Sequence, residues 1–397
     1  MRDINGSPIT GIVDIAAGLD HAFALRADGR LFAWGYNGYG ALGDGTSTNR
    51  YYATLVIQSN GVAFGNVVQV AAGRYHSLAL TSGGEVFAWG YNYQGQLGDG
   101  TTTSHSYPAR VYGDGGFPLS GIQSIGSGWN HGLATQADGT VIAWGQNDQG
   151  QLGVRVKDRS TLGLALADVA GAVGVFGGED FSVALLSDGT LKAWGDGDYG
   201  QLGDGTFWDQ DAAVQVLDGN LDAMGLFGSA STGDADGDGD QDASDAFPLD
   251  ARWQDDVDGD GLADGWEQAV FGDLTTADAT TDSDGDGVLD IDEFRHGSDA
   301  LIAAAFTEQV IAAGGYHSLA LRLDGSVLAW GYNRYGQLGD GSSGYANEQP
   351  YPQAVLGLSD IVAVARWRIP QSRARPCGSG LGVRLQQPRP ARRWNHQ

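Results

Sequence analysis

Residues 67–101 read VVQVAAGRYHSLALTSGGEVFAWGYNYQGQLGDGT, and this stretch decides the fold. His76–Leu80 and Glu85–Trp89 are rich in β-forming residues, and the two glycines between them accept the positive φ angles that a tight hairpin turn needs. In the Gly-Gln-Leu-Gly at 95–98, the leucine lies between two turns and can fill a core. The stretch therefore predicts a small antiparallel sheet.

The same pattern occurs five times along the chain. The five segments align on one tryptophan each, at Trp34, Trp89, Trp144, Trp194 and Trp330, with spacings of 55, 55, 50 and 136 residues. The long last spacing indicates that one connection carries an insertion. One such sheet cannot bury both of its faces, whereas several sheets packed radially can. We therefore predict an all-β fold, a β-propeller in which each repeat forms one blade.

The repeat resembles that of the regulator of chromosome condensation family. The shared string is G-x-x-H-x-x-A-L, then D-G, then A-W-G-x-N and G-Q-L-G-D-G-T, over about residues 11–220 and 307–357. WD and kelch repeats fit less well. The resemblance implies a propeller of seven blades, of which five are clear in this sequence.

The repeats predict four parts of the chain. Residues 1–227 would hold blades 1 to 4, residues 228–305 an acidic insert, residues 306–365 blade 5 and the start of blade 6, and residues 366–397 a remnant of blade 6. The last part is basic and lacks the repeat, but a reading frame shifted by one base can encode GGGYHSLAL and GYNNQGQLGDGTT there. We therefore interpret it as a frameshifted blade, although the shifted frame offers no blade tryptophan. The alternative is a basic disordered tail.

The insert has 22 acidic residues and two basic ones. Its acids follow the EF-hand loop pattern, in which alternate carboxylates, a glycine at the sixth position and a carboxylate at the twelfth supply most of the about six to eight oxygens that calcium prefers. The predicted calcium ligands are Asp234, Asp236, Asp238, Asp240, Asp242 and Asp245 in the first loop, Asp256, Asp258, Asp260, Asp264 and Glu267 in the second, and Asp282, Asp284, Asp286, Asp290 and Glu293 in the third. The first loop ends on aspartate, which is shorter than glutamate, so we expect weaker binding there.

Only residues 266–271 of the insert offer even a short helix, so the three loops are not full helix–loop–helix pairs. The insert resembles bacterial thrombospondin type 3 repeats. That resemblance implies a calcium-dependent extracellular spacer or adhesion module. The alternative is an acidic disordered linker. Calcium is the one cofactor that the sequence predicts.

The charge distribution restricts the partners. The chain has a formal net charge of −27, and all 49 acidic residues precede Arg366. Such a surface repels nucleic acid and anionic lipid, so we expect no nucleic-acid partner. No run of about 20 apolar residues occurs, so no membrane-spanning segment is expected. The first residues lack the apolar core of a signal peptide, which a truncated start would explain.

Four histidines recur at one position of the repeat. His21, His76, His131 and His317 each lie 13 residues before a blade tryptophan, and Phe181 takes this place in blade 4. Phenylalanine could not replace a metal ligand, so we expect a repeated packing or hydrogen-bonding role.

The aromatic residues of the repeat have two predicted roles. We expect the tryptophans in blade cores. Tyr36, Tyr91 and Tyr332 follow at strand ends, where they could reach a loop surface and form an aromatic binding face. The asparagines and Asp-Gly pairs that come next are typical of turns, although a ring of carboxylates on one propeller face could bind cations.

The sequence favours a non-enzymatic binding protein, extracellular or at the cell surface, with an unidentified protein or glycan partner. No nucleophile–base set, phosphate loop or Cys/His cluster was found, and a repeated feature is a poor candidate for catalysis because chemistry needs one asymmetric constellation. Guanine nucleotide exchange on a small GTPase is one alternative. An enzyme that acts on polysaccharides, with carboxylates at the propeller centre, is another.

Overall fold

A computed structural model describes residues 7–156, 158–217, 311–321 and 327–356, the backbone of strands 361–365 and 382–385, and isolated positions between 257 and 283. Most of the acidic insert therefore lies outside the described residues. Within the described part, no helix is long and apolar enough to cross a membrane.

Five four-stranded antiparallel sheets form the described structure, with each strand next to its neighbour in the sequence. Blades 1 and 2 contain β1 Ile12–Ala17, β2 His21–Arg26, β3 Leu31–Gly35, β4 Arg50–Leu55, β5 Val67–Ala72, β6 His76–Thr81, β7 Val86–Gly90 and β8 His105–Arg110. Blades 3 and 4 contain β9 Ile122–Ser127, β10 His131–Gln136, β11 Val141–Gln146, β12 Arg159–Ala165, β13 Ala172–Gly177, β14 Phe181–Leu186, β15 Leu191–Gly195 and β16 Gln210–Gln215. Blade 5 contains β17 Ile311–Ala313, β18 His317–Leu321, β19 Val327–Gly331 and β20 Gln349–Ala354, and a 3-10 turn spans Tyr345–Asn347.

The sheets pack in sequence around a common centre, because the first strands β1, β5, β9, β13 and β17 lie beside one another. This arrangement confirms the predicted all-β propeller. A two-stranded sheet of β21 Ile361–Ala365 and β22 Gly382–Leu385 follows blade 5. The other residues of the predicted frameshifted segment lie outside the described residues, so the frameshift remains a prediction.

The glycine after each blade tryptophan is required by the backbone. Gly90 has a φ of 101°, and a Cβ there would lie 2.5 Å from the carbonyl oxygen of Tyr75. At the same point the pairing of β7 with β8 is irregular between Ala88 and Gly90. The Trp-Gly pair therefore ends the regular third strand and directs the chain into the loop before the fourth.

The core lies between successive blades. In each blade, the leucine of the Gly-x-Leu-Gly motif is fully buried. Trp89, for example, packs in one cluster with Phe23 and Leu42 of blade 1. The expectation that the tryptophans belong to the core is met for Trp89, Trp144, Trp194 and Trp330, which lie at the seam between two blades, whereas Trp34 is half-buried.

A hydrogen bond at each seam repeats this packing. The indole Nε1 of Trp89 donates to the carbonyl oxygen of Ala41 in the preceding blade at 2.8 Å. The corresponding donors are Trp144 to Gln96 at 3.0 Å, Trp194 to Gln151 at 2.9 Å and Trp330 to Gln201 at 3.0 Å. Each buried indole thus has its partner, and each bond fixes one blade to the next.

The insertion between β16 and β17 leaves this packing intact. Besides the Trp330 bond, the Ser318 hydroxyl donates to the Gln201 carbonyl at 3.2 Å. The backbone amide of Glu179 donates to the carbonyl of Gly315 at 3.2 Å. Blades 4 and 5 therefore contact each other as sequence neighbours do elsewhere, although more than 100 residues separate Gln201 from Ser318.

Candidate functional site

Two loops of every blade meet at one end of the propeller. Because the strands alternate in direction, the loop from first to second strand and the loop from third to fourth strand lie at the same end, and the hairpin between the second and third strands lies at the other. We call the end that holds these two loops of each blade the loop face. The residues that precede the repeated histidine and those that follow the Trp-Gly pair therefore converge there.

Tyrosines from blades 1 and 2 form a first cluster on the loop face. The Tyr39 ring lies 4.7 Å from Tyr91 and 5.4 Å from Tyr75, measured between centroids. Tyr93 stacks on Tyr91 at 5.9 Å, and Tyr36 lies 5.6 Å from Tyr75. Tyr39 and Tyr93 are exposed. The prediction that Tyr36 and Tyr91 reach a loop surface agrees with this arrangement.

Blades 4 and 5 supply a second cluster. The Tyr199 ring lies 4.9 Å from Tyr332 and 5.1 Å from Tyr316. Tyr332 also contacts the exposed Tyr335 and Tyr345 at 6.3 and 6.1 Å. Burial, together with the charge and hydrogen bond of Glu179, raises the pKa of Tyr316, which therefore stays a neutral hydroxyl at physiological pH.

Each tyrosine cluster carries an arginine. The Arg74 guanidinium lies over the rings of Trp129 at 4.7 Å and Tyr75 at 5.4 Å. Arg334 lies over Tyr345 at 4.6 Å and Tyr335 at 5.3 Å. Such cation–π contacts hold the guanidinium against aromatic surface.

Acidic side chains of blades 3 and 4 occupy the loop face between the clusters. Carboxylate oxygens of Asp196, Asp198 and Asp209 all lie within 4.8 Å of one another. Burial raises the pKa of Asp196 to about 6, and the charges of Asp209 and Asp198 add to the rise. Burial likewise raises the pKa of Asp180 to about 6, with contributions from Asp148 and Asp196.

Sequence reasoning missed this acidic group. The signal that could have found it is the departure of blade 4 from the repeat. Asp196-Gly197 stands where blades 1, 2 and 5 have Tyr-Asn and blade 3 has Gln-Asn. The other acids come from separate positions, and only the fold brings them together.

The repeated histidines lie inside the seams. The Ser77 hydroxyl donates to the Ala41 carbonyl at 2.9 Å, so it accepts from the Nε2–H of His21 at 3.0 Å. His131 makes the same contact with Ser182 at 2.9 Å, and His76 contacts Ser127 at 3.2 Å. The expected packing and hydrogen-bonding role is confirmed for these three residues.

The repeated asparagines hold the long loops of the loop face. The Asn92 side-chain amide donates to Asp99 Oδ1 at 3.2 Å and to the carbonyls of Thr101 and Thr103 at 3.2 and 3.0 Å. Its Oδ1 accepts from the backbone amide of Leu97 at 2.9 Å. Asn37 and Asn333 make similar sets. The predicted turn role is therefore confirmed.

Replacement of Asn92 by alanine should lower the free energy of unfolding by about 1–3 kcal/mol, because the buried amide of Leu97 and the carbonyls of Thr101 and Thr103 lose their partner. Denaturant unfolding followed by fluorescence measures this change. Asn60, in an exposed turn, is the matched control, and Asn60→Ala should change stability by less than about 0.5 kcal/mol. Equal effects of the two substitutions would show that the amide does not hold the loop.

The Asp-Gly carboxylates are engaged in their own turns. Asp44 accepts from the amide and hydroxyl of Thr46 at 3.0 and 2.7 Å and from Arg50 Nε at 2.6 Å. Asp99 accepts from Thr101 in the same way and pairs with His105 at 2.7 Å. The local pairing argues for turn chemistry rather than a cation-binding ring at these positions.

Two of the predicted calcium ligands, Asp264 and Glu267, are among the described residues. Asp264 Oδ1 accepts from the backbone amide of Val257 at 2.9 Å, which closes the second loop on itself. The Glu267 side chain at the twelfth position is fully buried, as is Leu262 at the seventh. The other fourteen predicted ligands lie outside the described residues.

Packed four-stranded blades joined by repeated seam bonds define a β-propeller. A family model described as the RCC1-like domain matches residues 2–233, and models of the regulator of chromosome condensation (RCC1) repeat match residues 310–337 and 324–365. The first match covers more than half of the chain. The chain therefore belongs to the RCC1-like domain family, as the repeat predicted.

Parts of several other proteins are similar to this chain. The chain is 34% identical to the ultraviolet-B receptor UVR8 of Arabidopsis thaliana over 140 residues, which are 35% of this chain and 30% of that protein. It is 38% identical to the probable E3 ubiquitin-protein ligase HERC6 of Homo sapiens over 146 residues, 36% of this chain and 14% of that protein. A secretion-regulating guanine nucleotide exchange factor of Bos taurus is 35% identical over 153 residues, 37% of this chain and 32% of that protein. Each match spans less than a third of the relative's length.

The fold is similar to the crystal structure of human WBSCR16, with a TM-score of 0.60 and 22% identity. The match covers 89% of this chain and 69% of that one. At this identity the likeness establishes the fold alone.

Proposed function

We propose that this chain is a non-enzymatic propeller that binds a protein partner through its loop face, outside the cell or at its surface, with calcium bound by the acidic insert. The two tyrosine clusters with their arginines carry the proposal. Tyrosine, tryptophan and arginine are enriched at the centres of protein interfaces, because they bury large area at low entropic cost. Here they lie on loops that a rigid ring of sheets holds in place.

Loss of exposed tyrosines should abolish capture of the partner. Full-length protein carrying Tyr93→Ala and Tyr335→Ala, one from each cluster, is immobilised and exposed to secreted and surface proteins of the source organism. We expect the specifically retained protein to fall about tenfold or more, the loss typical of an interface hot spot. Tyr51→Ala, which removes a 90% exposed tyrosine from β4 at the outer edge of blade 1, is the control. Unchanged capture by the double variant would exclude the loop face.

The geometry of the second loop supports the calcium part of the proposal. A fully buried carboxylate such as Glu267 is stable only when hydrogen bonds, a cation or protonation compensates for lost hydration. Asp264 already turns toward the start of the loop through Val257. Oxygen ligands at alternate positions and a closing glutamate suit calcium, which would neutralise the clustered acids and order the insert.

Calorimetric titration of chelator-stripped protein tests this part. We expect two or three calcium ions to bind with a gain of structure in circular dichroism, and Glu267→Gln to lose one of them because the neutral amide is a poor closing ligand. Glu85→Gln, which removes a surface carboxylate of blade 2 paired with Arg110, should bind like the wild type. Absence of binding at millimolar calcium would reduce the insert to an acidic linker.

Guanine nucleotide exchange is the second candidate, because one matching relative is named as an exchange factor. The acidic insert weighs against it, because its sequence resembles calcium-dependent extracellular repeats. Acceleration of nucleotide release from small GTPases by the full chain, lost in the Tyr93→Ala/Tyr335→Ala variant, would establish exchange and displace the extracellular proposal.

A further inference from the structure

Blade 4 differs from the other blades at its loop face. Gly197 stands where four blades have the loop-holding asparagine, and the backbone carbonyl of Trp208 occupies the space that a Cβ would need. The Gly197 amide donates to Asp209 Oδ1 at 3.0 Å, a bond that Asn49 and Ser104 accept at the same place in blades 1 and 2. Asp209 lies beside Asp196, and the Trp208 side chain is 74% exposed.

The resulting surface, Asp180, Asp196, Asp198, Trp208 and Asp209, is called the blade-4 patch. None of its four acids has an ion pair among the described residues. Arg74 is the cation close enough to lower the pKa of Asp180. Crowded carboxylates without counter-charges repel one another, so a bound cation lowers their energy.

In the part of the chain that the structure describes, a buried side-chain amide nitrogen beneath the patch also lacks a hydrogen-bond partner. The corresponding glutamine of blade 3, Gln151, donates from Nε2 to Asp180 at 3.0 Å. Gln201 in blade 4 is fully buried, and its Nε2 has no partner in hydrogen-bond geometry among the described residues. It faces Asp196 closely enough to lower the pKa of that carboxyl. A lysine or arginine group has no acceptor, so a water held between Asp196 and the ligand would accept from this donor.

We propose that the blade-4 patch binds a lysine or arginine side chain of the protein partner. Asp198 and Asp209 would pair with the cationic group, and the exposed Trp208 and half-buried Tyr199 would cover its aliphatic stem. The proposal rests on the proposed function, in which the loop face binds a protein. Exposed aromatic surface beside the acids favours such a side chain over a calcium ion, which needs about six to eight oxygens.

The ionisation of the patch predicts the pH dependence of this binding. Asp180, which faces Asp148, Asp196 and Arg74, and Asp196, which faces Asp198 and Asp209, have pKa values of about 6. Both are largely neutral at pH values well below 6 and negative above it. Binding of a cation should therefore strengthen as pH rises through this range.

Fluorescence anisotropy of labelled hexalysine with the full chain tests the proposal. Millimolar calcium in the buffer neutralises the insert, and acetylated hexalysine shows any binding that does not need charge. Asp196→Asn and Asp198→Asn are combined because asparagine keeps the hydrogen-bonding shape of each residue. Asp138→Asn with Asp188→Asn removes two carboxylates from hairpin turns at the opposite end and is the matched control.

We expect the patch variant to bind hexalysine about tenfold more weakly than the wild type, and the control less than about twofold. Carbodiimide cross-linking followed by mass spectrometry should join the peptide to Asp198 or Asp209. Equal affinities of the two variants would overturn the proposal. If these tests fail while Tyr93 and Tyr335 remain necessary for capture, the loop face still binds a protein and only the cationic contact is wrong.

Discussion

The Trp144→Ala variant is expected to unfold with a free energy about 3–5 kcal/mol lower than that of the wild type. Trp144 is fully buried at the seam between blades 2 and 3, where it packs with Leu97 and Val111. Truncation leaves a cavity and removes the donor to the Gln96 carbonyl. Because the ring lies between two sheets, neither sheet can close the cavity without moving a whole blade.

Denaturant unfolding of the purified variants measures this effect. Trp144→Phe separates the contribution of packing from that of the hydrogen bond. Phenylalanine keeps most of the buried ring and loses only the donor, at a cost of about 1–3 kcal/mol. Trp34, at the same repeat position of blade 1, is only half-buried, so Trp34→Ala should cost less than Trp144→Ala. A loss at Trp144 no larger than that at Trp34 would contradict the seam as the main source of stability.

The propeller could be predicted because all five aligned copies of the repeat indicate the same small antiparallel sheet. The second and third strands of blade 2 were expected at His76–Leu80 and Glu85–Trp89 and are found at His76–Thr81 and Val86–Gly90. The fourth strand was not predicted. In blade 2 it is His105–Arg110, a half-exposed strand at the outer edge with a proline, so it lacks the apolar alternation that identifies a strand.

Less of the candidate site than of the fold could be predicted from the sequence. Tyr36, Tyr91 and Tyr332 were visible because they repeat, and their predicted loop surface is where the structure has them. The blade-4 patch was not visible, since Asp180, Asp196 and Asp209 come from separate loops and only the fold brings them together. In a repeat protein, repeated residues reveal the fold, whereas a departure from the repeat indicates a site.

Lowering the pH from 6.5 to 4 should cost the wild type about 3 kcal/mol of stability relative to the His21→Phe variant. Burial lowers the pKa of His21 from 6.5 to about 4. As pH falls below 6.5, the unfolded chain takes up a proton that the folded chain does not, so the stabilising contribution is present above pH 6.5 and lost toward pH 4. Phenylalanine takes up no proton, so its variant lacks this pH dependence. Phe181, which is fully buried at the same repeat position of blade 4, shows that the fold accepts phenylalanine at this position.

Unfolding free energies of both proteins, measured at intervals between pH 7 and pH 4, provide the comparison. At pH 7 the substitution should cost only about 1 kcal/mol, because Ser77 keeps its bond to the Ala41 carbonyl. Asp14, Asp180 and Asp196 have raised pKa values of about 6 and stabilise the fold as pH falls, but both proteins share them, so they cancel in the difference. Parallel profiles would mean that His21 takes up its proton equally in the folded and the unfolded chain, and the lowering of its pKa by burial would then be wrong.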